Sequence, residues 1–243
     1  MLGENFFGEI RAGQLLFGFG LRYYDPGIIE QIGAAPDFIW LDLQHGAIQQ
    51  QHLPDLIRTA DLVGTAVLPR LHGHNPQAIG NILDLDPGGV IVPQVETAEQ
   101  ARALAQAAKM PPLGERSFGG RRMVDRHGRD YLAQANRRQC LIVQLESPAA
   151  VDNADAIAAV DGVDGLMIGP DDFSLRHTWS GSIPPSWRLP ATAEAETRIA
   201  AAARRHGKFC LTFAGAREEI AAARDKGFHS LNTLFKGMPN RWD

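Results

Sequence analysis

CLIVQLESPAAVDNADAIAAVDGVDGLMIGPDDFS (residues 140–174) decides how the rest of the chain is read. It opens on an apolar run, CLIVQLE (140–146), passes through an Ala-rich segment at helical spacing, PAAVDNADAIAAV (148–160), and enters a second apolar run, GLMIGP (165–170). Neither run alternates apolar with polar residues, and continuous runs of this length suit parallel strands covered on both faces. The stretch is therefore a strand–helix–strand unit.

Working outward, the same unit recurs from end to end. Further apolar runs are LLFGFGL (15–21), FIWLDL (38–43), TAVLPR (65–70), GVIVPQV (89–95), FCLTFA (209–214) and SLNTLF (230–235). Good helix formers lie between them, as in QHLPDLIRTADLV (51–63), ETAEQARALAQAAK (96–109) and ATAEAETRIAAAARRHG (191–207). Thr97 and Gln100 have the spacing of a capping box, and Gly207 and Gly227 read as helix stops. Eight strands alternating with helices predict a single (β/α)8 TIM barrel over residues 1–243, preceded by an N-terminal helix in the amphipathic opening MLGENFFGEIRAGQ. A doubly wound open sheet is the alternative, weakened because no G-x-G-x-x-G turn follows the first strand. Residues 111–139 read as a long insertion before the fifth strand. About eight residues follow the eighth, which implies a truncated or missing final helix.

Composition narrows the function classes. The chain has 243 residues, 44% apolar and 21% charged, enough to bury a large core without staples. A net charge of −4 argues against a nucleic-acid footprint. No apolar run is long enough to span a membrane, and the opening segment is not a signal peptide. Two cysteines, Cys140 and Cys210, make no disulfide framework and read as small core residues in a reducing compartment. A cytoplasmic enzyme is the expectation.

In such a barrel the chemistry sits at the carboxyl ends of the strands. Glu146 and Asp172 are brought to one rim by adjacent strands, and two carboxylates suit a hard divalent cation that also holds waters and substrate. Each is alternatively a solvated or helix-capping carboxylate. His45, next to Gly46, suits general acid/base work or is a loop histidine bonded to backbone. Arg70 needs an anion, either a substrate carboxylate or enolate or the carboxylate of Asp42 or Glu146. His72 and His74 invite a zinc reading that no later strand end supports. Arg116, Arg121, Arg122, Arg126 and Arg129 either grip an anionic substrate tail or form a solvated or subunit-contacting surface.

These residues stand in stretches that together resemble the HpcH/HpaI aldolase family of class II pyruvate aldolases. The matching stretches are DFIWLDLQHGAIQ (37–49), VLPRLHGHNP (67–76), ILDLDPGGVIVPQVETAEQA (82–101), PPLGERSFGG (111–120) and residues 141–176, with Q-x-E-S and G-P-x-D-F-S the most specific. The resemblance implies a divalent metal (magnesium, manganese or cobalt) on Glu146 and Asp172, with Gln144 reaching the keto-acid. It implies that backbone amides around Asp171 and Asp172 receive the substrate carboxylate. Arg70 would face the enolate oxygen and His45 would serve proton transfer at the aldol hydroxyl. Asp84 matches an aspartate that the family pairs with the histidine. It precedes the fourth strand, so it reaches a mouth only as a neighbouring subunit's residue. The implied reaction joins pyruvate or a related 2-oxo acid to an aldehyde, or splits the 4-hydroxy-2-oxo acid. The implied assembly is a homo-oligomer, a hexamer or trimer of dimers.

Departures from the family pattern are Gln44 where Glu is usual, Asp86-Pro87 where Gly-Ala is usual, the loop 176–190, and the short C-terminal segment. They motivate a second reading, a barrel that binds an oxo-acid without cleaving it. A CoA-thioester lyase of the same superfamily is a third, although no segment looks dedicated to CoA.

Overall fold

The structure, a computed structural model, describes residues 2–178, 189–214 and 217–232. Eight strands are present: β1 (Phe17–Leu21), β2 (Phe38–Asp42), β3 (Ala66–Arg70), β4 (Gly89–Val92), β5 (Cys140–Leu145), β6 (Gly165–Ile168), β7 (Phe209–Phe213) and β8 (Phe228–Asn232). All pair in parallel with their sequence neighbours, and β1 also pairs with β8, so the sheet closes into a barrel. The expected (β/α)8 TIM barrel is what forms.

Helices α1 (Leu2–Arg11), α2 (Pro26–Ile32), α3 (Leu53–Val63), α4 (Pro76–Leu83) and α5 (Ala98–Ala108) lie in the first half. The second half carries α6 (Arg121–His127), α7 (Tyr131–Arg138), α8 (Pro148–Asp152), α9 (Ala154–Ala158), α10 (Pro170–Thr178), α11 (Pro190–Arg205) and α12 (Arg217–Asp225). Local chemistry sets several ends. The Thr97–Gln100 capping box opens α5, and Gly207 and Gly227 take positive φ values of 64° and 86° after α11 and α12.

Three boundaries differ from the expectation. The insertion 111–139 contains α6 and α7, which bury Met123, Tyr131 and Ala135 against Met110 in a small satellite core. The segment 148–160 is two helices, because Asn153 breaks the turn between them and donates from Nδ2 to the Glu96 carbonyl (2.8 Å). Strand β8 starts two residues early, directly after the Gly227 turn. The expectation of a shortened final helix falls on residues 233–243, outside the described residues.

Two apolar layers hold the barrel. Outward-facing strand residues such as Ile39, Leu41, Val143 and Leu166 pack on the helices, while Phe38, Trp40, Leu68, Ile142, Met167 and Leu211 fill the interior. At the amino end of the strands α1 closes the bottom, with Phe6 edge-on to Phe38 (5.3 Å) and Phe7 edge-on to Phe209 (6.3 Å). Burying such rings contributes roughly 1.5–3 kcal/mol each. With the bottom plugged, the face that remains open among the described residues is the carboxyl end of the strands.

Candidate active site

The site is built on a buried carboxylate. Asp42, the last residue of β2, is fully buried and accepts four hydrogen bonds. Oδ1 takes the backbone amides of Gln44 and His45 (both 3.1 Å) and Arg70 Nε (3.1 Å), and Oδ2 takes Arg70 Nη2 (2.8 Å). Arg70 ends β3, whose register sets it opposite Asp42, so the barrel itself makes the pair. Its guanidinium also lies 4.6 Å from the centre of the Trp40 ring. The side chain is therefore held by Asp42 and Trp40 and lines the mouth.

The turn carrying His45 is fixed by the same carboxylate and by the strand next door. Ala47 N donates to the Arg22 carbonyl (2.7 Å). A Cβ on Gly46 would lie 2.2 Å from the Asp42 carbonyl and 2.7 Å from that of Arg22, so only glycine fits. The His45 ring itself is exposed.

Across the mouth, β5 supplies Gln144 and, one residue past its end, Glu146; both are buried. Gln144 Nε2 donates to Glu146 Oε2. Glu146 Oε1 is buried with no hydrogen-bond partner among the described residues. Burial pushes the Glu146 carboxyl up to about 7, the charge of Asp172 adds to the rise, and Arg70, Gln144 and Arg176 oppose it. Asp171 and Asp172 lie in the first turn of α10, where the free amides and the helix dipole favour an anion. Gly169 joins the two halves: a Cβ there would meet Glu146 Oε2 at 2.6 Å and Gln144 Nε2 at 2.7 Å.

Arg22, His45, Arg70, Gln144, Asp171 and Asp172 line one cavity of about 140 Å³. The structure thus brings together every expected site residue except Asp84, with Glu146 beside Gln144. Asp84 caps α4 outside the barrel and pairs with Arg116 (2.8 Å), in a groove of about 540 Å³ that runs along α4 and α5. Within one chain it does not reach the mouth, as its position before β4 requires. His72 and His74 are exposed and do not line the cavity. The insertion arginines are structural here. Arg116 serves Asp84 and Gln139, Arg122 serves Asp61, Arg126 serves Asp61 and Asp86, and Arg121 serves Asp125. Arg129 lies over the Phe118 ring at 5.3 Å.

Strand-end reading missed two residues. Arg22 directly follows β1, whose end is that of the apolar run 15–21. Trp40 sits inside β2 and betrays nothing of its contact with Arg70 until the barrel closes.

The carboxylates suit a hard cation. Glu146 has an unpartnered buried oxygen, and a second carboxylate close enough to raise its pKa. Among the described residues no group of three or more His, Cys, Asp or Glu converges. These two would hold a cation as partial ligands and leave positions for small molecules, as weakly dehydrated magnesium-type sites do.

Comparison with known proteins agrees with the fold. A 4-hydroxy-2-oxovalerate aldolase of Novosphingobium aromaticivorans is 37% identical over 204 residues, 82% of this chain and 77% of that protein. A hydroxypyruvate/pyruvate aldolase of Rhizorhabdus wittichii is 34% identical over 191 residues, 78% of this chain and 76% of that one. The crystal structure of an HpcH/HpaI aldolase from Desulfitobacterium hafniense superposes with a TM-score of 0.84 at 27% identity, covering 93% of this chain and 88% of that one. Residues 24–239 match the family model described as HpcH/HpaI aldolase/citrate lyase, and the chain belongs to that family.

Proposed function

We propose that the protein is a divalent-metal-dependent aldolase, a carbon–carbon lyase of the aldehyde-lyase kind. It joins pyruvate or a related 2-oxo acid to an aldehyde, or cleaves the 4-hydroxy-2-oxo acid. The observation that carries this reading is the Glu146–Asp172 pair at the mouth, with an open carboxylate oxygen and the Arg70 guanidinium near it. The names of the aldolase relatives support it.

Glu146 and Asp172 hold the cation (magnesium, manganese or cobalt). When bound, it supplies Lewis-acid polarisation of the keto-acid. Amides of the first turn of α10 receive the keto-acid carboxylate, and Gln144 reaches the keto-acid with the second N–H of Nε2, the first being given to Glu146. Arg70, immobilised by Asp42 and Trp40, presents fixed positive charge where negative charge develops, at no reorganisation cost. In the cleavage direction His45 removes the proton from the C4 hydroxyl as the C3–C4 bond breaks, and returns it in synthesis. Asp84 enters the mouth of a neighbouring copy, in a homo-oligomer such as a hexamer. The amide of Gln44, half-buried with Oε1 unpartnered, stands where the family pattern has a carboxylate and retunes the proton path beside His45.

The test is exchange of pyruvate methyl protons in D2O, followed by NMR with added Mg2+ or Mn2+, with EDTA, and on Glu146→Ala. Metal-dependent exchange that the substitution abolishes is expected. Absence of exchange with every divalent metal and with hydroxypyruvate would reject the aldolase in favour of a non-catalytic oxo-acid binder.

A further inference from the structure

Arg22 is a cation of the mouth whose guanidinium makes no hydrogen bond to another described residue. It lines the cavity with His45, Arg70, Asp171, Asp172 and Phe213, and its side chain is 48% exposed. Its charge contact among the described residues is Nε at 3.6 Å from Asp42 Oδ2, beyond hydrogen-bond range. Asp42 already accepts four hydrogen bonds, three on Oδ1 and one, from Arg70, on Oδ2. Asp42 therefore faces two guanidinium groups and hydrogen-bonds only Arg70, which leaves the Arg22 donors open at the cavity, on the rim opposite β5.

The backbone fixes where that charge stands. Ala47 N bonds to the Arg22 carbonyl, and Gly46 packs so tightly on it that no Cβ fits, so the His45 turn is seated on Arg22. The guanidinium springs from the His45 side of the mouth, across from Gln144 and Glu146. If His45 handles the aldol hydroxyl, the remote end of the aldehyde extends on this side.

We propose that Arg22 determines specificity for the acceptor, selecting aldehydes that carry an anionic group, a carboxylate or a phosphate. The proposal rests on the aldolase reading above and names the substrate class of that site. The reaction balances without oxidant or reductant. The pyruvate methyl carbon loses a proton and bonds to the aldehyde carbon, whose oxygen gains a proton. A half-exposed planar guanidinium with free donors matches the fork of a carboxylate and also accepts phosphate oxygens.

The test measures kcat/KM for synthesis from pyruvate with saturating Mn2+. The anionic acceptors are glyoxylate, succinic semialdehyde and glyceraldehyde 3-phosphate, and the neutral ones are glycolaldehyde and propionaldehyde. Wild type is expected to prefer anionic acceptors, and the better arm tells carboxylate from phosphate. In Arg22→Gln the anionic-to-neutral ratio falls tenfold or more, through KM for the anionic acceptors, and Arg22→Lys restores part of it. A wild type that favours neutral aldehydes, or a ratio that changes less than tenfold in Arg22→Gln, overturns the proposal while pyruvate exchange stands. Failure of wild-type pyruvate exchange overturns the aldolase reading itself, and the Arg22 assignment with it.

Discussion

Asp42 and Arg70 form a buried two-point ion pair at the floor of the mouth, Nε to Oδ1 at 3.1 Å and Nη2 to Oδ2 at 2.8 Å. Arg70 is 4% exposed and Asp42 is fully buried, so neither charge has water as a substitute partner. In Asp42→Ala a buried guanidinium is stranded, and two backbone amides lose their acceptor. The expected loss is about 3–5 kcal/mol, the usual result of removing one partner from a buried pair. Urea unfolding of the variant checks it. A loss below about 1 kcal/mol would show that water solvates Arg70 and that its preorganisation is overstated.

Gly169 has no room for a side chain because Glu146 Oε2 and Gln144 Nε2 lie where its Cβ would be. Gly169→Ala must therefore displace the proposed metal ligand rather than the backbone beneath it. Manganese affinity, followed by isothermal titration, is expected to weaken at least tenfold. The thermal midpoint should fall only by the few degrees that about 1–3 kcal/mol of overpacking produces. Unchanged manganese binding would place the cation away from Glu146.

Much of this was readable in the chain because period and position carry it. Parallel strands covered on both faces are apolar throughout, so eight runs were visible, and their carboxyl ends gave His45, Arg70, Gln144, Glu146, Asp171 and Asp172. Arg22 was legible in principle, one residue beyond the first run, yet no carboxylate or histidine at that end drew attention to it. Asp42 as the hub depends on the β2–β3 register and on a turn folding back over it, which no local pattern reports. Helices α6 and α7 were obscured because the insertion pairs its arginines with Asp61 of α3 and with Asp84 and Asp86 at the end of α4, and so looks polar all round.

His229, in β8, is buried at the bottom of the barrel, where its Nδ1 accepts the amide of Leu16 (3.0 Å) just before β1. Burial holds the ring's pKa down from 6.5 to about 4. Above pH 6.5 neither the folded nor the unfolded chain protonates it. Below that the unfolded chain takes up a proton that the folded one refuses until about pH 4, so stability falls with pH across this window. The linkage amounts to roughly 2 kcal/mol by pH 5 and on the order of 3 kcal/mol by pH 4. In His229→Gln this contribution is absent, and urea midpoints at pH 7, 6 and 5 should show a shallower decline than wild type. Parallel declines would mean the ring titrates normally in the fold.

No described lysine is placed to form a Schiff base with a keto-acid. Lys109 is buried, but its ammonium donates to the Gln139 carbonyl (2.9 Å) and to Asp164, which precede β5 and β6 and so lie at the closed end of the barrel. Lys208 donates to the Val163 carbonyl (2.8 Å) at that same end, and Lys226 pairs with Glu196 (2.6 Å). Borohydride added with pyruvate traps an enzyme-bound imine as a stable amine. This protein is expected to keep its pyruvate-exchange activity after that treatment and to gain no mass of a reduced pyruvyl adduct by mass spectrometry. Inactivation with such an adduct would move the chemistry from the carboxylates to a lysine. Because Lys236 lies outside the described residues, the adduct would be mapped there first.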